Sequence, residues 1–364
     1  MPDGTVKLGS PADAKNKKKD DVAVAQQRLN NFKEVCAQAK IKTLFAVGGW
    51  ENSQHFSSIA ADPSKRTKFI TSVIRIIRRE NFDGIDIDWE YPVTGGAVEG
   101  VPQDKQFYVQ LMKELRVALD YVKKKESRKS DYLITFAGAA GDWTLTPGFD
   151  LPALLKYADW VNVMTYDYFG AWGSQWGAYT GPPAPLFFGN PKGFSGKVNT
   201  DWTIRHYVCK TRMPHKIVMG VPFYGRYWVN VGEPVDPKDG MWRKAQPNEH
   251  GNYTGGFVAW SELKETFLKD PNYKVEMHKF AKAPYAFNAK EKTFLGFENP
   301  ESLRFKVRYA ESYNLGGMMI WAIDQDDEAN SMLSVVSGAN LCKIKDPKAV
   351  HFSLSPTLLS SYIL

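Results

Sequence analysis

Ten residues, Asp83 to Pro92 (DGIDIDWEYP), set three carboxylates at alternate positions of an apolar run and a fourth just upstream. In an extended strand successive side chains point to opposite faces, so Asp86, Asp88 and Glu90 share one face while Ile85, Ile87 and Trp89 share the other. Phe82 extends the apolar side and marks a core strand. Like charges about 7 Å apart repel, and burying them is costly unless protons are shared or hydrogen bonds supplied. At least one of the three is therefore expected to hold its proton near neutral pH, as a general acid must. A solvated acidic face fits poorly with Ile85, Ile87 and Trp89 behind it, and a calcium loop would interleave Gly and Asn with its acids rather than Ile and Trp.

The chain can bury such a strand. Its 364 residues are 43% hydrophobic and 13% aromatic, enough for one large core. No run of about 18 apolar residues suggests a membrane span, and the polar start MPDGTVKLGS does not read as a signal peptide. The net charge of +7 is partly concentrated in Lys17 to Lys19 and Lys123 to Lys125, short runs that read as solvated surface and come with no nucleic-acid motif. Cys36, Cys209 and Cys342 lie far apart, without metal-ligand spacing and too few for a disulfide framework. Cys36 shares an apolar helical face with Leu29 and Phe32 and reads as a buried thiol. Asn252-Tyr253-Thr254 is a glycosylation sequon, a weak sign of secretion.

Short apolar strands alternate with helical segments, which favours a parallel α/β sheet. The strands read are Leu44 to Trp50, Phe82 to Trp89, Tyr132 to Gly138, Trp160 to Tyr168, Ile217 to Tyr224 and Gly317 to Ile323. Between them Lys65 to Arg79 and Asp104 to Lys125 carry apolar residues at helical spacing, the second through Phe107, Leu111, Leu115, Ala118 and Val122. A segment from 229 to 293, rich in Gly, Tyr, Phe and Lys, breaks the rhythm and reads as an inserted α+β lobe.

The run from Phe82 to Pro92 resembles the catalytic signature of the chitinases of glycoside hydrolase family 18, with acids spaced D-x-x-D-x-D-x-E. Further segments similar to that family follow in order: LFAVGGW (Leu44 to Trp50), MTYDYFGAW (Met164 to Trp172), VPFYGRYW (Val221 to Trp228) and GGMMIWAIDQDD (Gly316 to Asp327). The resemblance covers about residues 3 to 342. It implies a (β/α)₈ TIM-type barrel with the inserted lobe walling a deep substrate groove. Catalytic barrel is then expected over 1–228 and 294–342, the lobe over 229–293 and a C-terminal tail over 343–364. In that family the acidic strand is the fourth of the barrel; residues 1–43 show no first or second strand, so the barrel is expected to lack them.

The resemblance also implies a chemistry. Active-site groups of such barrels stand at the carboxyl ends of strands, which makes Glu90 the acid that protonates the leaving glycosidic oxygen. Asp88 and Asp86 stand behind it, a pair expected to share a proton. Acids on one strand are poorly placed to attack opposite sides of a bond, and this family is an exception in which the substrate's acetamido group is the nucleophile. Asp88 would then stabilise the oxazolinium nitrogen and Tyr166 the acetamido oxygen, with Asp167 contacting the sugar. Trp321 matches the tryptophan beneath the cleaved sugar, while Trp50, Trp172, Tyr224 and Arg226 match positions on the leaving-group side. Ala46 stands where the family's S-x-G-G motif has serine, which is expected to loosen hydrogen bonding to the aspartates. The expected activity is endo-hydrolysis of β-1,4 N-acetylglucosamine linkages in chitin or chitooligosaccharides by an extracellular enzyme, without metal or organic cofactor, a monomer if the barrel is complete. A chitin-binding lectin, an inactive truncated form and a hydrolase of the chitobiose core of N-glycans are the alternatives; lectins of the family usually lack the glutamate present here as Glu90.

Overall fold

A computed structural model of the chain describes residues 1–7, 19–173, 175–189 and 196–341. The Lys17 to Lys19 run in large part, Cys342 and the expected tail 343–364 lie outside these residues. The chain opens with helix α1 (Lys19–Gln38), then β1 (Leu44–Gly48), α2 (Phe56–Ala61), α3 (Pro63–Glu80) and the acidic strand β2 (Gly84–Asp88). Next come α4 (Asp104–Lys125), β3 (Leu133–Gly138), α5 (Asp142–Gly148), α6 (Leu151–Leu154), β4 (Trp160–Val163), α7 (Thr200–Thr211) and β5 (Ile217–Pro222). A run of antiparallel strands follows: β6 (Tyr224–Trp228), β7 (Val231–Asp236), β8 (Asp239–Ala245), β9 (Gly255–Ala259), β10 (Tyr273–His278), β11 (Ala283–Asn288) and β12 (Thr293–Gly296), with α8 (Trp260–Glu265) after β9. Helix α9 (Pro300–Ser312), β13 (Gly317–Trp321) and α10 (Ser331–Ser337) complete it.

Six strands form one parallel sheet in the order β1-β2-β3-β4-β5-β13, curled as in a TIM-type barrel. All six expected strands are therefore present and in chain order. At its two ends, β1 and β13 pair with no further strand among the described residues. They are also the least covered: Ala46 is exposed, and no residue of β13 is fully buried.

The apolar face of β2 is sealed. Ile85, Ile87 and Trp89 are buried, and each contributes on the order of 1.5–3 kcal/mol by leaving water. Trp89 stacks on Phe56 of α2 at 5.3 Å and meets Tyr108 of α4 at 5.2 Å. Helix α3 starts where Asp62 accepts from the Ser64 and Lys65 amides with Pro63 at its first position, and it stops at Asn81 in a left-handed conformation, as capping chemistry predicts. The buried stripe of α4 is Tyr108, Leu111, Met112, Leu115 and Leu119. Phe107, Ala118 and Val122 are only partly buried, because α4 packs on α2 and α3 as well as toward the sheet. Cys36 is buried and free, but Phe32 on the same helix is exposed with Val24 and Val35, and Cys209 is a free exposed thiol.

The expected single strand from Ile217 to Tyr224 is two strands. Its break is Phe223, whose N–H donates to the Trp321 carbonyl (2.9 Å) and whose carbonyl accepts from the Trp260 N–H (2.8 Å). Beyond it β6 joins an antiparallel sheet of order β10-β11-β12-β6-β9, with β7 and β8 as a separate hairpin. The lobe's sheet thus recruits 224–228 and 293–296, a wider span than 229–293, because β6 and β12 pair with each other and not with the barrel. Where the chain returns, Glu298 and Lys306 form an ion pair of 2.5 Å with both side chains fully buried, and Ser302 Oγ donates to the same carboxylate. Removing one partner of such a pair strands a charge, whereas replacing both is far less costly. Lys306→Met is expected to lower stability by about 3–5 kcal/mol, and adding Glu298→Gln to restore most of it, measured by urea unfolding.

Candidate active site

Apart from Asp86, which is mid-strand in β2, each predicted site residue stands at the carboxyl end of a strand of the parallel sheet or in the segment that follows it, the end where such folds build their sites. Glu90 lies two residues past β2, Trp50 just past β1, Tyr166, Asp167 and Trp172 past β4, Tyr224 and Arg226 past β5, and Trp321 closes β13. The loop after β1 is held against β2 at close range. Gly48 has φ +115°, and a Cβ there would lie 2.0 Å from the Asp88 carbonyl oxygen, so only glycine fits. The Gly49 amide donates to that same carbonyl at 2.7 Å. Ser53 Oγ donates to the Gly49 carbonyl (2.8 Å) and accepts from the Glu90 amide (2.9 Å), fixing the backbone from which Glu90 projects.

Asp86, deepest of the three acids, accepts from Thr135 Oγ1 and from Asn162 Nδ2 (3.1 Å). These donors come from β3 and β4, so Asp86 is anchored although Ala46, its register neighbour on β1, has no hydroxyl. Burial nonetheless pushes its carboxyl above the usual carboxylate range. Asp88 and Glu90 interact directly, which adds to the rise of Asp88 and opposes the rise of Glu90, while the charge of Asp86 also raises Asp88. Burial, then the charges of Glu90 and Asp86, push Asp88 up to about 8. Glu90 is also raised, chiefly by burial, against hydrogen bonds from the Tyr91 hydroxyl and the Trp50 backbone N–H. Asp88 Oδ1 is buried and has no hydrogen-bond partner, an arrangement that costs free energy unless a ligand supplies a donor.

Tyr166 is buried (9% exposed), and among the described residues its hydroxyl is within hydrogen-bonding range of only the weakly accepting Met319 sulfur, at 3.8 Å. Burial and the nearby Asp88 raise its pKa well above the ordinary tyrosine value, so the hydroxyl keeps its proton and remains a donor. Its ring meets Tyr224 edge-on at 6.4 Å. Tyr224 belongs to a second network: its hydroxyl donates to Asp167 Oδ1 (2.7 Å), and Arg226 holds Asp167 through two bonds of 2.6 and 2.7 Å. The Arg226 guanidinium lies 4.3 Å from the centre of the Trp172 ring. The structure thus brings Asp86, Asp88, Glu90 and Tyr166 into one group and Asp167, Trp172, Tyr224 and Arg226 into another, joined at the two tyrosines. Trp50 and Trp321 present rings that are 50% and 52% exposed; Trp321 is tied in through its carbonyl to Phe223.

Sequence reading missed Ser53, Tyr91, Thr135 and Asn162, which hold the acids, and Phe257, an exposed ring 6.1 Å from Tyr224. Of these, Tyr91 alone adjoined the acidic motif and was open to detection. No described helix is long and apolar enough to cross a membrane.

Residues 2–326 match the family model described as glycosyl hydrolases family 18. The chain is 32% identical over 339 residues to Chitinase A1 of Niallia circulans, covering 90% of this chain and 47% of that protein. It is 32% identical over 331 residues to a probable endochitinase of Caenorhabditis elegans, covering 89% and 50%. The chain therefore spans about half the length of these curated relatives. The crystal structure of Ostrinia furnacalis Group IV chitinase in complex with allosamidin superposes with a TM-score of 0.76 at 30% identity, covering 92% of this chain and 87% of that one.

The raised Asp88 makes stability depend on pH. The folded protein holds this proton up to about pH 8, whereas the unfolded chain releases it near the ordinary carboxylate value of 3.8. Across that window rising pH increasingly favours the unfolded state, so stability falls as pH climbs. Asp88→Asn removes the liability and should stabilise the protein by on the order of 2–4 kcal/mol at pH 8 and by little at pH 4. Urea titrations at both pH values check this; an equal effect at each would mean that Asp88 ionises normally in the folded state.

Proposed function

This chain belongs to family 18 of the glycosyl hydrolases, and we propose that it hydrolyses β-1,4 linkages between N-acetylglucosamine units of chitin and chitooligosaccharides. The single observation that carries this reading is the pair of buried, interacting carboxyls Asp88 and Glu90 at the carboxyl end of β2, both raised above their ordinary range and taken in this reading to hold one proton between them. Glu90 gives that proton to the oxygen of the leaving sugar. Asp88, relieved of it, faces the reacting sugar as an anion.

The nucleophile in this reading is the substrate's own acetamido oxygen, which bonds to the anomeric carbon as the glycosidic bond breaks and yields an oxazolinium ion. The unpartnered Asp88 Oδ1 is available to accept from the acetamido N–H and to balance the positive charge. The Tyr166 hydroxyl, with only a sulfur beside it, is available to donate to the acetamido oxygen. A donor aimed at developing charge typically contributes a few kcal/mol to the transition state. Water then adds to the anomeric carbon, returning a proton to Glu90 and leaving the configuration retained. Trp321 serves as the floor under the reacting sugar, and the exposed Trp50 and the half-buried Trp172 flank the leaving side, since sugar rings pack their C–H faces on aromatic side chains. Asp167, Tyr224 and Arg226 supply polar contacts at the rim. The reading also takes β1 and β13 as the borders of a gap left by the first two strands of an eight-stranded barrel, in keeping with their exposure.

Glu90→Gln keeps the shape of the acid and removes the transferable proton. It should lower kcat on chitopentaose by roughly 10²-fold or more and leave oligosaccharide affinity nearly unchanged by calorimetry. A variant keeping more than about a tenth of the wild-type rate would remove Glu90 as the acid. Because the acetamido group supplies the nucleophile, cellulose and fully deacetylated chitosan should be inert, and hydrolysis of either by the wild-type chain would rule out the substrate-assisted route.

A further inference from the structure

Next to Glu90 lies a cleft of about 200 Å³ bordered by Trp50, Glu51, Gln54, Ala97 and Val98. It contains the acid but none of Asp88, Tyr166 or Trp321, the residues assigned above to the reacting sugar, and that assignment leaves this cleft to the other side of Glu90. That side receives the leaving group. The lining includes two carboxylates and no basic residue, although the chain carries a net charge of +7.

The other site acids are buried or engaged: Asp88 is buried, Asp86 is held by Thr135 and Asn162, Glu90 interacts with Tyr91 and Asp88, and Asp167 is held by Arg226 and Tyr224. Glu51 is different: it is exposed, and no hydrogen bond or ion pair joins its side chain to any described residue. It follows directly on Trp50, whose half-exposed ring is a surface for a pyranose face. Arg226, the basic group of the second network, is committed to Asp167 and Trp172. An aromatic platform with a free carboxylate beside it fits a sugar that carries a cation.

From this we infer that Glu51 determines specificity at the leaving-group position, where it favours a glucosamine unit with a free 2-ammonium group over N-acetylglucosamine; the inference rests on the chitinase reading given above. A neutral acetamido N–H also hydrogen-bonds to a carboxylate, but the ammonium adds a charge interaction that the acetamide lacks. In partially deacetylated chitin the enzyme would thus cut where an acetylated unit precedes the bond and a deacetylated one follows it.

The test is a digest of partially acetylated chitosan at mildly acidic pH and low salt, with the products sequenced by mass spectrometry. Every new non-reducing end reports the sugar that occupied the leaving-group position. Wild-type ends should be enriched in glucosamine relative to the polymer. Glu51→Gln should reduce that enrichment about two- to fivefold, the range expected of an exposed charge pair, and Glu51→Lys should reverse it. A second measurement needs no variant: in 1 M NaCl, where the screening length falls to about 3 Å, the wild-type enrichment should largely vanish. Unchanged end composition in Glu51→Gln, or enrichment indifferent to salt, overturns the role of Glu51. Chitopentaose is digested in parallel to separate the two readings. Failure of the wild type to cleave it overturns the chitinase reading and this inference together, whereas its cleavage with unaltered chitosan ends overturns only the inference.

Discussion

Desolvation of one strand face is the constraint on which the site depends. Ile85, Ile87 and Trp89 can leave water against α2 and α4 only if Asp86, Asp88 and Glu90 are presented together on the opposite face, since the strand's period of two allows no other arrangement. The fold then makes three acids tolerable by three different means. Asp86 is given donors from neighbouring strands, Asp88 is pushed up far enough to keep a proton, and Glu90 receives hydrogen bonds that oppose the rise which burial imposes on it.

The second network works by opposite means. Asp167 lies in the left-handed region at φ +58° and is neutralised by a bidentate Arg226 from the lobe, so its charge is spent on holding two parts of the groove together. Trp172 and Tyr224 are ordered by the same guanidinium. Residues that are scattered over 60 positions of sequence become one rigid edge because a planar cation has several directions in which to bond and stack.

The sequence made the parallel strands and the family legible because each leaves a local trace. Alternation marks β2, apolar runs mark the other parallel strands, and tyrosine or tryptophan at a strand's end marks the groove. The supports were not legible. Ser53, Thr135 and Asn162 are ordinary small polar residues whose value comes from reaching across β1, β2 and β3, and no spacing along the chain announces that. The stripe of α4 was misplaced by about one residue for a related reason: Phe107 and Tyr108 are equally aromatic, and only the packing of α2 and α3 decides which of them turns inward. Phe32 errs in the same direction, its apolar character being no measure of what the fold offers to cover it.

Phe223 carries a consequence of its own. One residue separates a strand of the barrel from a strand of the lobe, and its two backbone bonds reach Trp321 and Trp260. A splice that transplanted residues 229–293 alone would cut through the sheet formed by β6 and β12 and leave the recipient with mismatched hydrogen-bond ladders. The natural unit of exchange runs from Tyr224 to Gly296. It takes Tyr224 and Arg226 with it, so any recombination of lobes among such proteins also replaces both side chains that bind the Asp167 carboxylate.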